Sequence, residues 1–467
     1  MFSNNCTPDE LKQELDVCKG QDLRLNLMFI IAATATNVCA LPAGGVLDRF
    51  GPRITSIIGS IVLAAGCILF IFTSQIGEGA YIPAFLLLAL GGPFFFISSF
   101  QLSNTFPSYS GMILAFITGA FDASSSVFLL YGLIYRATSF TFGPNKFFTI
   151  YLVLPVFIVL VQLLLMPKSS HTSMKELTGR ARVENASDTT PLLGTSGHGS
   201  SAQEAVPVEG DSLTVEQCVE RERKEEVKQK VSGVYGVLHG KAVSAQLKSW
   251  WFVLITIFVI VQMCRINYFV ATVRQQYIYL LGSRDAGKSI NDFFDVALPL
   301  GGVILIPLIG FILDGFSETF IIATLVILAA LNGALGFIPT FWAAYIVCLL
   351  LSMLTKNIVI FVVYRPFFYT AISDYAAKVF GYRTFGTVYG TVNSIAGLFN
   401  LLQYPLDSLT KRQFHSNPFP VNLILLICCL VVGLSLASYV FVQSRRIARD
   451  NLEEEAENAA EETMPLS

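Results

Sequence analysis

Gly44-Gly45-Val46-Leu47-Asp48-Arg49-Phe50-Gly51-Pro52-Arg53 stands between two long apolar runs, 24–45 and 54–73. Runs of this length read as helices that cross a hydrocarbon core about 30 Å thick. The stretch between them keeps a fixed spacing, Gly-x-x-x-Asp-Arg-x-Gly-x-Arg. That chemistry suits a gate. A carboxylate at one helix end can meet the positive N-terminus of another helix. Arg49 and Arg53 can meet carboxylates or phospholipid phosphates. The plainer alternative is a basic loop that only sets topology.

Outward from this stretch the same pattern recurs. The chain has 467 residues, of which 53% are hydrophobic and only 14% charged. A soluble domain carries about 25% charged residues. Further apolar runs lie at 81–101, 111–135, 147–166, 249–271, 293–313, 319–338, 341–363, 384–404 and 421–443, so about eleven spans are expected. In lipid each backbone amide must find its partner inside the protein, so these runs become helices.

The composition also excludes. Net charge is −2, which gives a nucleic-acid partner no support. The nine cysteines lack metal-ligand spacing. His171, His198, His239 and His415 all lie in polar stretches, so no histidine proton relay crosses the membrane. No phosphate loop or catalytic triad is present. An enzyme and a nucleotide-driven pump are therefore not expected, and no cofactor or metal is called for.

The expected organisation has five parts. Residues 1–23 form a polar lumenal or extracellular N-terminus, without a secretory signal. Residues 24–166 form a first helical bundle of five spans. Residues 167–248 form a cytosolic insert, Ser-, Gly- and Glu-rich and largely disordered, in which 215–231 can form a charged helix. Residues 249–443 form a second bundle of six spans, and 444–467 an acidic, disordered cytosolic tail. The Lys/Arg bias orients the chain, although its excess lies within the insert itself. Arg445, Arg446 and Arg449, just past the last span, point the same way.

Asn5-Cys6-Thr7 is a glycosylation sequon on the outer side, and Cys6 and Cys18 are candidate disulfide partners if that side is oxidising. In the insert, Asp188 followed by Leu192-Leu193 matches an acidic dileucine signal read by sorting adaptors. This favours the vacuolar or lysosomal membrane, with the plasma membrane as the alternative.

The opening stretch resembles the signature loop of the major facilitator superfamily. Gly310-Phe311-Ile312-Leu313-Asp314-Gly315 repeats it in eroded form in the second half, as expected of two related halves. The resemblance implies an all-α membrane fold of two helical bundles. In that family the loop joins the second and third helices, so the usual first helix is expected to be absent here.

Three further stretches are similar to the large neutral amino acid transporter family (solute carrier family 43) and its fungal relatives. The first is Gln21-Asp22-Leu23-Arg24-Leu25-Asn26-Leu27-Met28-Phe29 with Leu41-Pro42. The second is Asn104-Thr105-Phe106-Pro107 with Gly119-Ala120-Phe121-Asp122-Ala123-Ser124-Ser125. The third is Arg365-Pro366-Phe367-Phe368 with Phe385-Gly386-Thr387 and Leu401-Leu402-Gln403-Tyr404-Pro405-Leu406. This resemblance implies facilitated movement of leucine-like amino acids without an obligatory ion gradient. Asp122 departs from the family pattern.

Charges inside spans cost a few kcal/mol and are functional candidates by default. Arg265 is a candidate for a substrate carboxylate, or for a structural pair with Asp122. Asp122 can pair with Arg265, bind an amino group or take up a proton. Lys356 reads as a snorkelling residue. Ser125, Asn267, Asn393 and Gln403 complete the candidate substrate site, with helix–helix hydrogen bonding as the plainer reading. Gly119, Gly390 and Gly397 allow close helix packing. The expected function is alternating-access transport of a neutral, leucine-like amino acid. A non-transporting membrane sensor and a proton-coupled carrier of another organic acid are the rivals.

Overall fold

The computed structural model describes residues 19–105, 109–139, 141–165, 231–336 and 347–463. Asn5, Cys6, Cys18, Asp188, Leu192 and Leu193 lie outside the described residues.

Among the described residues all regular structure is helical. The first half holds α1 (Lys19–Val38), α2 (Ala40–Ile71), α3 (Tyr81–Ser99), α4 (Ser110–Ser124), α5 (Ser126–Ala137), α6 (Pro144–Tyr151) and α7 (Val153–Leu165). The second half holds α8 (Trp250–Leu281), α9 (Arg284–Ile304), α10 (Ile306–Gly315), α11 (Glu318–Leu335), α12 (Val347–Phe380), α13 (Phe385–Phe399), α14 (Gln403–Arg412) and α15 (Phe419–Thr463). Local chemistry sets several of the ends. Ser249, Ser283 and Ser317 cap α8, α9 and α11 by accepting from the amides of Phe252, Ala286 and Phe320. Gly282, at φ 64°, ends α8 in the left-handed conformation.

Seven described helices are long and apolar enough to cross a membrane, and eight if α9 and α10, bent by 46°, make one span. The first of these runs from Ile31 to Ile71 through a break at Gly51 (φ 79°), which divides it into two. α12 and the α13–α14 pair lie where two further expected spans fall, 341–363 and 384–404. The expected loop at 48–53 is thus a single non-helical residue followed by Pro52, which has no amide to donate.

Three sequence expectations need correction. The ninth span does not stop near 363, because α12 continues to Phe380. The expected span stops short of Arg365, Asp374 and Lys378, whose charges are paired within the fold. The insert, 167–248, was expected to be largely disordered. Instead Val234, Tyr235, Leu238 and Gln246 are buried. The acidic tail was also expected to be disordered, yet α15 is helical to Thr463. Glu and Ala are strong helix formers, and Arg449 pairs with Glu453 one turn on, at 3.5 Å.

Two crossings join the halves. The region of α2 before Gly51 lies against α13, and α4 lies against α9 and α10. Both are close glycine contacts. A Cβ on Gly44 would overlap the carbonyl of Gly386, and one on Gly119 the carbonyl of Gly302. Gly45, one residue along, has open space around it. Gly386→Val is therefore expected to cost about 3 kcal/mol or more, since backbone rather than a side chain must move, while Gly45→Ala stays within about 0.5 kcal/mol. Thermal unfolding of the detergent-purified variants measures both. Equal midpoints for the two would sink the packing argument.

Candidate functional site

The two crossings end in matched contacts. Asp48 accepts from the amide of Gly386 at 2.9 Å and from that of Thr387 at 2.7 Å. Asp314 accepts from the amide of Gly111 at 2.7 Å and from that of Met112 at 3.1 Å. Each carboxylate satisfies the first orphan amides of a helix in the opposite half, α13 or α4. The local N-cap positions, Thr384 and Tyr109, supply no side-chain cap. The charge also meets the positive helix end. The gating residues expected from sequence therefore fall into two groups. Asp48 and Asp314 carry the contacts, and Gly44 and Gly51 permit them. Arg49 is exposed and Arg53 half-buried. Arg49 lines a surface groove together with Asp48, Lys241, Arg383 and Thr387.

The same face holds further links between the halves. Gln101 donates to the carbonyl of Tyr382 at 3.2 Å, and the Ser103 and Tyr382 hydroxyls lie 3.4 Å apart. Behind them, Lys378 pairs with Asp374 at 2.5 Å and Glu318 at 3.3 Å, and donates to the carbonyl of Leu313, beside Asp314. The last part of the insert straps this region. Gly236 and Leu238 donate to the carbonyls of Lys378 and Val379, and Gln246 donates to that of Phe380. Thr384, at the entrance to α13, donates to the Gln246 side chain at 2.8 Å.

Deeper along the same helices, Arg365 of α12 meets Asp122 of α4 at 2.6 Å. The Asp122 side chain is 0% exposed and that of Arg365 18%. Asp122 Oδ2 and Arg365 Nε are buried without a hydrogen-bond partner among the described residues. The guanidinium lies 5.7 Å from the centre of the Tyr369 ring, and the Asp122 Cβ sits against Gly302 at the α4–α9 crossing. This ion pair joins the first half to the second.

The expected pairing of Asp122 with Arg265 is corrected by this contact. Arg265 lies within the second bundle, donating to Asn332 Oδ1 at 3.2 Å and to Cys429 Sγ at 3.7 Å. The six expected substrate residues are not gathered in one place. Ser125 alone bonds Asp122, through the backbone carbonyl. Asn393 donates to the carbonyl of Tyr389 on its own helix. Asn267 is half-buried on α8, and Gln403 half-buried at the start of α14. Sequence reasoning missed Arg365, although the signal was present. A lone acid in an apolar helix requires a cation, and Arg365-Pro366 was read as lying beyond its span.

A profile of the Major Facilitator Superfamily matches residues 10–403. The chain is 41% identical to Protein FMP42 of Saccharomyces cerevisiae, over 94% of this chain and 88% of that one. It is 24% identical to equilibrative nucleobase transporter 1 of Bos taurus, over 89% and 83%. It is 34% identical to large neutral amino acids transporter small subunit 3 of Homo sapiens, over 29% of this chain and 24% of that protein. Among solved structures it is similar to the proton:xylose symporter XylE, with a TM-score of 0.58 at 15% identity, over 89% and 86% of the two chains. Profile, relatives and fold agree with the paired crossings and their helix-capping aspartates. The chain belongs to the Major Facilitator Superfamily, as a multi-pass membrane transporter of small solutes and not an enzyme.

Proposed function

We propose that the chain carries a neutral, bulky amino acid by alternating access, and that the substrate engages the Asp122–Arg365 pair. The observation that carries this reading is the ion pair itself, which spans the two halves and leaves Oδ2 and Nε unpartnered. A zwitterionic amino acid bears the same two charges. Its ammonium can take over Asp122 and its carboxylate Arg365, the latter as a forked contact. The exchange strands neither buried charge, so releasing the halves from one another avoids the cost of a bare ion. The human relative named for large neutral amino acids supports the substrate class over part of the chain. The aspartate caps hold the face toward the insert shut in this conformation, and their release opens it.

One observation favours a second reading. The bovine nucleobase transporter aligns with 89% of the chain. A neutral base would hydrogen-bond beside the ion pair without replacing it. Uptake into liposomes holding the purified chain separates the two. Saturable uptake of labelled leucine is expected, insensitive to a pH gradient and blocked by excess unlabelled leucine. Leucinamide, which lacks the carboxylate, should block at least about tenfold more weakly, a margin of about 1.4 kcal/mol. Adenine uptake without leucine uptake replaces the amino acid with a nucleobase.

A further inference from the structure

Among the described residues no carboxylate neutralises Arg265. Its guanidinium contacts Asn332 Oδ1 and Cys429 Sγ, neither of them a carboxylate. It lines a cavity within the second bundle together with Gln276, Asn332, Tyr364 and Asn422. Four helices form that cavity: α8, α11, α12 and α15. Along their sequences, up to Arg449, the acids are Glu318 and Asp374 alone. Both of these pair with Lys378. The segment 336–346, between α11 and α12, contains no acid either. A guanidinium stays charged, and an unpaired cation at membrane depth is costly.

The donors around it are unequally occupied. The Asn422 amide donates to Gln276 Oε1 at 3.0 Å, and the Gln276 amide donates to the Thr272 hydroxyl at 2.7 Å. The Tyr364 hydroxyl, by contrast, is buried and has no partner among the described residues. Arg265 and Tyr364 therefore line one cavity, whose walls include Phe269 and Phe361. That donor set is chemically suited to an anion.

We propose that Arg265, with Asn332 beside it and Tyr364 across the cavity, binds a small monovalent anion, a halide or a carboxylate. The site lies in the second bundle, apart from the Asp122–Arg365 pair, and it stands whether or not the amino acid reading of that pair holds.

The test is thermal unfolding of the purified full chain in sodium methanesulfonate, titrated with chloride or with acetate at constant ionic strength. A ligand that binds only the folded state raises its midpoint in a saturable way. The expected rise is about 2–4 °C at saturation. Arg265→Gln should abolish it, and Arg265→Lys should keep it with weaker binding. If Arg265→Gln does not fold, Tyr364→Phe removes only the hydroxyl and should move the half-saturating concentration up about 5- to 10-fold, the size of one buried hydrogen bond. A rise with acetate but not chloride makes a carboxylate the ligand, and a rise with chloride makes it a halide. No saturable rise in the wild type, or a rise that none of the variants alters, overturns the proposal.

Discussion

Asp48→Asn is expected to shift the protein about 30-fold toward the conformation open on the insert side. The carboxylate accepts from two amides at the start of α13, at 2.9 and 2.7 Å. Hydrogen bonds to a charged group contribute about 1.5–3 kcal/mol, and a charge at a helix N-terminus about 0.3–1 kcal/mol more. Asparagine keeps one acceptor oxygen and loses the charge. A loss of about 2 kcal/mol corresponds to a factor of about 30 in the equilibrium. Asp314→Asn should act likewise on α4, whose first amides it holds at 2.7 and 3.1 Å. The two caps serve different helices, so their effects should add within about 0.5 kcal/mol. The readout is maleimide labelling of Ser103→Cys, a position now fully buried at the seal. Faster labelling in each single variant, and faster again in the double, is the expected series. Labelling that Asp48→Asn leaves unchanged would mean that the cap does not hold this face shut.

Much of this contact between the halves was legible in the sequence because its chemistry is local. Gly44, Asp48 and Gly51 stand at fixed spacing in one stretch, and Gly310 and Asp314 repeat part of it. The physical need for an acid near a helix end does not depend on knowing which helix. The partners were not legible. Gly386 and Gly111 lie hundreds of residues away, and they matter through bare backbone amides that carry no side-chain signature.

The central site was misread for a different reason. The expected span ended at 363, so Arg365, Asp374 and Lys378 fell outside it. The structure keeps all three in the helix and neutralises them with Asp122 and Glu318 from other helices. Apolar windows find a span only where its charges are sparse, and paired buried charges defeat them. Arg265 shows the reverse case. It was recognised as intramembrane from its apolar surroundings, but the face of α8 it occupies follows from packing against Asn332 and Cys429. The buried end of the largely disordered insert was not legible because Val234, Tyr235 and Leu238 are spaced through a mostly polar stretch, without a long apolar run.

Arg365→Ala should destabilise the protein by about 3–5 kcal/mol, because it leaves Asp122 charged, buried and alone. By itself that result does not separate a structural pair from a substrate site, since either would lose uptake. The neutral double variant, Asp122→Asn with Arg365→Gln, does separate them. Neither charge is then stranded, and two amide side chains can bond across the same gap, so the unfolding midpoint should return close to that of the wild type. If the pair only fastens α4 to α12, leucine uptake returns along with stability. If a zwitterion must displace the pair, the restored fold still lacks both the anion for its ammonium and the guanidinium for its carboxylate. Two lost charged contacts of about 1.5–3 kcal/mol each then predict uptake at least about 100-fold below wild type. Initial-rate leucine uptake measured beside thermal unfolding gives both quantities on the same preparation. Stability recovered without uptake is the result expected here, and recovery of both would reduce Asp122 and Arg365 to a fastening between the two halves.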